Sequence, residues 1–207
     1  MSVQQLNSTL NHIGRYELLA VVTMLLVRKY QRVGTRAGLI SQVNTLLKSF
    51  PYYENYVDLT RLELSAIHAA QPTPPGSIAF IGSGPLPLSS ICLARSEGKP
   101  RVLNIDHNAD AIDRSKELWK NLGATAENIH FNCVGADDST ISLEDYDVVY
   151  LAALVGNTQE QKEYLLRNVV RRMRKGSLVV VRSAHGLRRL LYPVSLIEFS
   201  RYKIKPS

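Results

Sequence analysis

The sequence predicts an α/β protein: a Rossmann-type domain with a doubly wound parallel sheet, preceded by a helical domain. After residue 76, short apolar and β-branched runs alternate with segments of helical spacing. Such runs are typical of parallel strands that are buried on both faces and joined by helical crossovers. Before residue 76, apolar residues recur at helical spacing, as at Leu18, Val22 and Leu25, and strand signals are few.

The strongest break in the chain is QPTPPG, residues 71–76, which contains three prolines and one glycine. We therefore predict a helical domain over residues 1–75, with helices at 3–33 and 37–50, and a Rossmann-type domain over residues 76–207. In the second domain the predicted strands are SIAFIG, RVLNID, NIHFNC, DVVYLAAL and SLVVVRSA, and the predicted helices lie at 86–96, 109–122 and 159–174.

Composition indicates a globular chain, because 207 residues with 45% hydrophobic content can bury a substantial core. The two cysteines, Cys92 and Cys133, lie in apolar runs and are predicted to be core residues. A disulfide framework and a zinc site are therefore not expected, and no metal is predicted to be required. The longest apolar run, residues 18–27, is about half of what a membrane span needs. These features predict a cytoplasmic protein without a membrane partner.

Basic residues concentrate late in a chain whose formal net charge is +7, and two interpretations are open. A basic cluster can bind nucleic acid. No nucleic-acid motif accompanies this one, so a solvated helix face with an attraction for small carboxylates is favoured and no nucleic-acid partner is predicted. The cluster consists of Arg167, Arg171, Arg172, Arg174, Lys175, Arg182, Arg188 and Arg189.

The first strand of the predicted sheet ends in the turn GSGPLPLSS, where an open parallel sheet usually contacts its ligand. Gly82 and Gly84 permit a tight turn and a close ligand approach around Ser83, and Pro85 suits the first position of a helix. Pro87 stands where the dinucleotide fingerprint has its third glycine. This disfavours nicotinamide and flavin cofactors and favours S-adenosylmethionine (SAM), which has no phosphate.

Two aspartates follow the next two strands. Asp106 comes 24 residues after Gly82, close to where an acidic residue holds the ribose hydroxyls; the alternative is that it caps the next helix. Asp137, beside Ala136, is a candidate for binding the adenine amino group. The alternative for Asp137 is a solvated turn residue next to Asp138.

Four segments resemble those of the nicotianamine synthase family, in the same order, over about residues 50–193. They are FPYYENYVDLTRLE, IGSGPLPLSS, YDVVYLAALVG and VVVRSAHGLRRLLYP. The resemblance implies an aminocarboxypropyltransferase that joins three units from SAM, releases methylthioadenosine each time and closes an azetidine ring on one unit. The product is a metal chelator, so a role in metal homeostasis is implied, with the metal bound by the product and not by the enzyme.

The resemblance also suggests roles for individual residues. The attacking amine must lose a proton, and Glu63 in LTRLE is the predicted base. Tyr53 and Tyr56 are predicted to place the amine, or else to be packing residues. Because an arginine fork matches a carboxylate, Arg182, Ser183 and His185 are predicted to hold substrate carboxylates, although a lone histidine such as His185 is more often a helix cap or a buried hydrogen-bonding residue. The residues predicted to form the wall beside the adenosine are Leu151, Ala152 and Ala153.

The last segment, VSLIEFSRYKIKPS, departs from the family pattern. A SAM-dependent Rossmann domain normally continues with an antiparallel strand pair, whereas this segment has at most one strand-like piece. We therefore expect a C-terminally truncated domain without those strands, with weak or absent turnover and residual SAM binding. Two other functions stay open: a small-molecule methyltransferase, and a SAM-binding remnant that catalyses no reaction. A homodimer is also open.

Overall fold

A computed structural model describes residues 36–49, 53–122, 128–152, 155–156 and 158–182. The helix predicted at 3–33, the predicted site residues Ala153, Ser183 and His185, and the C-terminal segment lie outside the described residues. The elements in chain order are α1 Arg36–Ser49, α2 Tyr53–Ala70, β1 Ser77–Ile81, α3 Leu88–Ala94, β2 Arg101–Asp106, α4 Ala109–Asn121, β3 Ile129–Cys133, β4 Val148–Leu151, α5 Gln159–Arg171 and β5 Leu178–Val181.

The described part of the chain contains one five-stranded sheet in the order β3-β2-β1-β4-β5, and every neighbouring pair is parallel. The strand order reverses beside β1, so the sheet is wound in both directions from its centre. This confirms the Rossmann-type fold. The register aligns Ile81 with Ile105 and Leu151, and Leu151 with Val181, so the strands end level with one another. The residues that follow them therefore meet at one edge.

Two hydrophobic cores lie on opposite faces of the sheet, because successive strand side chains point to opposite sides. Phe80 belongs to the first core, with Ile67 of α2 and Leu118 of α4. Ile81 belongs to the second core, with Val169 of α5. Strands β1 and β4 are buried along nearly their whole length, as their apolar sequences predict. In the described segments no helix is long and apolar enough to cross a membrane.

The start of β1 is fastened by Asp147, which precedes β4. Its Oδ2 accepts hydrogen bonds from the backbone N–H groups of Gly76 and Ser77, at 2.8 and 2.9 Å. Its other oxygen pairs with Arg174, just before β5. One carboxylate thus aligns three neighbouring strands at their amino ends. The predicted domain boundary at residues 75 and 76 lies immediately before this anchor, and the division itself stays a prediction.

Two local predictions are wrong. Helix α3 begins at Leu88 with Pro87 as its N-cap, so Pro85 is not its first residue. The reason is Pro87 itself, since a proline disfavours helical geometry in the residue before it. Cys133 is exposed and not a core residue, because β3 is the outer strand of the described sheet; Cys92, on α3, is half-buried.

Candidate functional site

The carboxyl ends of four strands bring predicted site residues into one row. The backbone N–H groups of Gly82, Ala152 and Arg182 each donate to a carbonyl of the neighbouring strand, at 2.8, 3.0 and 3.0 Å. Asp106 ends β2 in the same row. Residues from distant parts of the sequence therefore share the edge at which parallel sheets bind ligands.

The turn after β1 needs glycine at Gly82 for two reasons. Its φ is +79°, in the left-handed region, and Gly84 has a φ of +67°. A Cβ at Gly82 would lie 2.3 Å from Cγ2 of Val155 and 3.1 Å from Cβ of Ala152. The tight turn predicted from the sequence is confirmed, and it packs directly against the segment after β4. Ser83 is buried within the turn.

Asp106 joins the turns that follow β1 and β2. Its Oδ2 accepts from the N–H of Gly84 at 2.8 Å, and its Oδ1 accepts from the N–H of Asn108 at 3.0 Å. The cap of helix α4 is Asn108, whose side chain accepts from Ala111, so Asp106 does not cap that helix. Each carboxylate oxygen has a second lone pair that a ribose hydroxyl could use. The ribose role stays a prediction.

Glu63 and Arg182 form a two-pronged ion pair that crosses from α2 to the end of β5. Nε of Arg182 donates to Oε1 of Glu63 at 2.9 Å, and Nη2 donates to Oε2 at 2.7 Å. Nη1 of Arg182 donates to the hydroxyl of Ser89 at 2.6 Å. The exposed fractions of the two side chains are 15% for Arg182 and 12% for Glu63. The structure thus places the predicted base and the predicted carboxylate-binding arginine in direct contact.

Beneath this pair lie two stacked aromatic rings. The rings of Phe80 and Tyr150 are 5.2 Å apart and nearly parallel, and the guanidinium of Arg182 sits 5.1 and 5.4 Å from their centres. Burial raises the pKa of Tyr150, the nearby charge of Glu63 raises it further, and Arg182 opposes the shift. The phenol therefore stays protonated. Its hydroxyl interacts with the carboxylate of Glu63, which adds to the rise in pKa, although the contact does not reach strict hydrogen-bonding geometry among the described residues.

The remaining predicted residues fall into two groups. Tyr53 and Tyr56 pack against the first core, and their roles toward an amine stay predictions. Leu151 is fully buried in the second core, and Ala136 packs against it. Asp137 is exposed in the turn after β3. Within the described ranges no group of three His, Cys, Asp or Glu side chains could hold a metal ion.

Sequence reasoning missed the partners of Arg182. Ser89 lies in the apolar first turn of α3. A polar side chain among buried neighbours needs a hydrogen-bond partner, and this was the signal that could have indicated its contact with Arg182. Phe80 and Tyr150 looked like ordinary strand residues, since nothing local indicates that a guanidinium lies over them. The contacts depend on the alignment of β1, β4 and α2, which no local pattern encodes.

Known proteins resemble this chain in sequence and in fold. Residues 3–204 match the family model described as nicotianamine synthase protein. The chain belongs to the nicotianamine synthase family. Nicotianamine synthase 9 of Hordeum vulgare is 44% identical over 151 residues, which are 72% of this chain and 44% of that protein. The nicotianamine synthase of Solanum lycopersicum is 40% identical over 149 residues, 72% of this chain and 47% of that protein. The chain thus spans about half the length of these relatives.

Solved structures of MtNAS share the fold. The structure of MtNAS in complex with MTA and tNA is 26% identical, with a TM-score of 0.61 over 84% of this chain and 64% of that one. A substitution variant of MtNAS in complex with S-adenosylmethionine is 24% identical, with a TM-score of 0.62 over 84% and 66%. The family predicted from the four sequence segments is confirmed.

Proposed function

We propose that this chain binds SAM at the carboxyl edge of its sheet and transfers the aminocarboxypropyl group to an amine, in the synthesis of nicotianamine. The observation that carries the proposal is the partly buried Glu63–Arg182 pair, in which Arg182 stands in one row with the glycine turn and Asp106. Family membership supports the reaction class. A neighbouring structure that contains S-adenosylmethionine supports the substrate.

The proposed binding mode assigns each part of SAM to one turn. The turn at Gly82, Ser83, Gly84 and Pro85 faces the methionyl part, and Asp106 accepts from the ribose hydroxyls. The adenine lies toward Ala136 and Asp137, and Ala152 lies beside the adenosine; the role proposed for Ala153, which is outside the described residues, rests on the sequence alone. No metal is required for this chemistry. The metal ligand is the product, which is how a role in metal homeostasis would arise.

The chemistry requires an aligned nucleophile more than a strong acid. The amine nitrogen forms a bond to Cγ while the Cγ–sulfur bond breaks, and the bonding pair moves to sulfur to give neutral methylthioadenosine. The amine proton passes to Glu63, which acts as general base. Because a sulfonium is already a good leaving group, alignment of nitrogen, carbon and sulfur supplies most of the acceleration.

Arg182 is proposed to hold a substrate carboxylate, a role that requires Glu63 to leave its guanidinium group. Its fork already holds the carboxylate of Glu63, and one fork binds one carboxylate in this geometry. A substrate carboxylate that enters the fork would therefore displace Glu63 and release it toward the amine. The roles proposed for Ser183 and His185, which follow Arg182, rest on the family resemblance alone.

Product analysis tests the proposal. Incubation of the purified chain with SAM is expected to release methylthioadenosine and to give a product whose mass counts the units joined. S-adenosylhomocysteine as the sole by-product would refute the proposal and indicate methyl transfer. SAM binding by calorimetry without any by-product would instead indicate a binding protein without chemistry. A cytoplasmic location, a homodimer and the absence of a nucleic-acid partner stay predictions.

The base is tested by Glu63→Gln, with Glu54→Gln as the matched control because Glu54 is exposed at the start of the same helix. We expect Glu63→Gln to lower kcat about 100-fold or more, in line with the loss of a general base, and to leave SAM binding within a few-fold. Both variants are assayed well below their unfolding midpoints. Equal turnover by the two variants would remove Glu63 from the proposed mechanism.

A further inference from the structure

Arg172, the residue immediately after α5, is bound to the turn that follows β3. Its Nη1 donates to the carbonyl of Asp138 and its Nη2 donates to the carbonyl of Ala136. Its Nε donates to the carbonyl of Asn168 in the last turn of α5, at 3.2 Å. One guanidinium thus joins the end of a helix to two backbone carbonyls on either side of Asp137.

The turn has further internal contacts that define its shape. The N–H of Val134 donates to the carbonyl of Asp106 at 3.0 Å, and the N–H of Asp138 donates to the carbonyl of Gly135 at 3.2 Å. A Cβ on Gly135 would lie 2.8 Å from Oδ1 of Asp137, so this carboxylate folds back over the glycine. The contact with Asp106 connects the turn directly to the row of site residues. The position of Asp137 therefore depends on how the turn is held.

Arg172 is partly buried, whereas Arg171 beside it is exposed. Burial lowers the pKa of Arg172, and the negative charges of Asp138 and Asp137 act in the opposite direction. The guanidinium therefore lies within electrostatic reach of both aspartates. The sequence predicts that the basic cluster is a solvated helix face. Arg172, a member of that cluster, instead links the end of α5 to the turn after β3.

We propose that Arg172 is a positioning residue: by holding the carbonyls of Ala136 and Asp138, it fixes Asp137 where its carboxylate accepts from the amino group of an adenine ring. The inference rests on the proposed function, since it deepens the recognition of the nucleoside of SAM. The carbonyls of Ala136 and Asp138 accept from Arg172, and the carboxylate of Asp138 accepts from Thr140. The exposed carboxylate of Asp137 is therefore the side-chain acceptor that the turn offers to a ligand. Arg172 then determines selectivity for a 6-amino over a 6-oxo purine without touching the ligand.

The geometry explains why arginine is needed here. A guanidinium presents its donors in a rigid planar fork, so it can hold two carbonyls at once. A lysine keeps the positive charge but offers a single flexible ammonium group. Arg172→Lys therefore removes the fork while retaining the charge, and Arg171→Lys makes the same change at an exposed neighbour.

The probes are 5′-methylthioadenosine and its 6-oxo counterpart 5′-methylthioinosine, with binding measured by calorimetry on the full chain. We expect Arg172→Lys to weaken methylthioadenosine binding about tenfold, as the loss of a charge-assisted hydrogen bond would, and to affect methylthioinosine little. Arg171→Lys should match the wild type for both probes. In turnover, Arg172→Lys should raise KM for SAM and leave kcat nearly unchanged, because the turn does not touch the reacting carbon.

A second variant separates positioning from general stability. Asp137→Asn should lose the same discrimination between the probes without a drop in thermal midpoint, because Asp137 is exposed. In the double variant Arg172→Lys/Asp137→Asn, the loss of discrimination should be no greater than in Asp137→Asn alone. Unchanged discrimination in Arg172→Lys, or strictly additive losses in the double variant, would overturn the proposal. Failure of the wild type to bind methylthioadenosine at all would overturn the proposed function, and this assignment with it.

Discussion

The Glu63–Arg182 ion pair is expected to contribute strongly to stability. It links α2 to the end of β5 across 119 residues of sequence. We consider Glu63→Leu, Arg182→Met and the double variant, which replaces a charged pair with two apolar side chains. Each single variant leaves one charge with little access to water, since only 12% and 15% of the two side chains are exposed. The double variant leaves none.

The magnitude follows from this burial. Removing one partner of a buried ion pair typically costs about 3–5 kcal/mol, because the remaining charge loses its partner and has little access to water. We expect each single variant to lose about 3 kcal/mol or more of unfolding free energy. Replacement of both partners by apolar residues is often neutral, so the double variant should recover most of this loss. The resulting coupling energy should be at least about 2 kcal/mol.

Urea unfolding followed by circular dichroism measures these values, with the slope of the transition checked for constancy. The matched control is Arg61→Met, which removes the pair between Arg61 and Asp58 on the same helix. That pair is 3.2 Å long, and its side chains are 74% and 67% exposed, so its loss should leave the midpoint nearly unchanged. Single losses below about 1 kcal/mol, or a double variant equal to the sum of the singles, would refute the reasoning.

Three further predictions concern the turn, the strand anchor and the cysteines. Gly82→Ala should lose about 2–5 kcal/mol in urea unfolding, because a left-handed φ and a Cβ contact at 2.3 Å act together. Asp147→Ala should lose about 1–2 kcal/mol by the same measurement, because it removes the acceptor of two backbone N–H groups, while the exposed Arg174 can be solvated. Burial raises the pKa of Cys92, so its thiolate fraction at pH 8 is reduced and Cys133, which is exposed, should react first with a disulfide reagent. Labelling of Cys92 should accelerate as the pH rises.

Matched controls are available for each of these predictions. Gly98 has a φ of +81° with open space around its Cβ position, so Gly98→Ala should show only the backbone strain, about 1–2 kcal/mol. An equal loss for Gly82→Ala would contradict the steric argument. Asp145 is an exposed neighbour of Asp147, so Asp145→Ala should leave the free energy of unfolding nearly unchanged. Cys133→Ser should abolish the fast labelling phase, and persistence of that phase would show that Cys92 is the accessible thiol.

Strand and helix positions were predicted well because their signals are local. The short runs predicted as strands overlap all five described strands, and the predicted helix at 109–122 differs from α4 by one residue at its end. The glycine turn was predicted for the same reason, since only glycine adopts φ near +80° without cost. The start of α3 was mispredicted because two prolines compete there, and the second of them sets the helix boundary.

By itself, the sequence determined the order of strands and helices, the position of the turn after β1 and the family, because each depends on residues close together in the chain. The tertiary structure decided which side chains meet. Glu63 reaches Arg182 only because β5 is aligned beside β4 and α2 packs on the same face of the sheet. Arg172 reaches the turn after β3 only because α5 ends beside it on the opposite face, and Cys133 is exposed because β3 lies at the edge of the described sheet. Contacts of this kind arise from the register and layering of distant segments, which leave no periodic trace in the sequence.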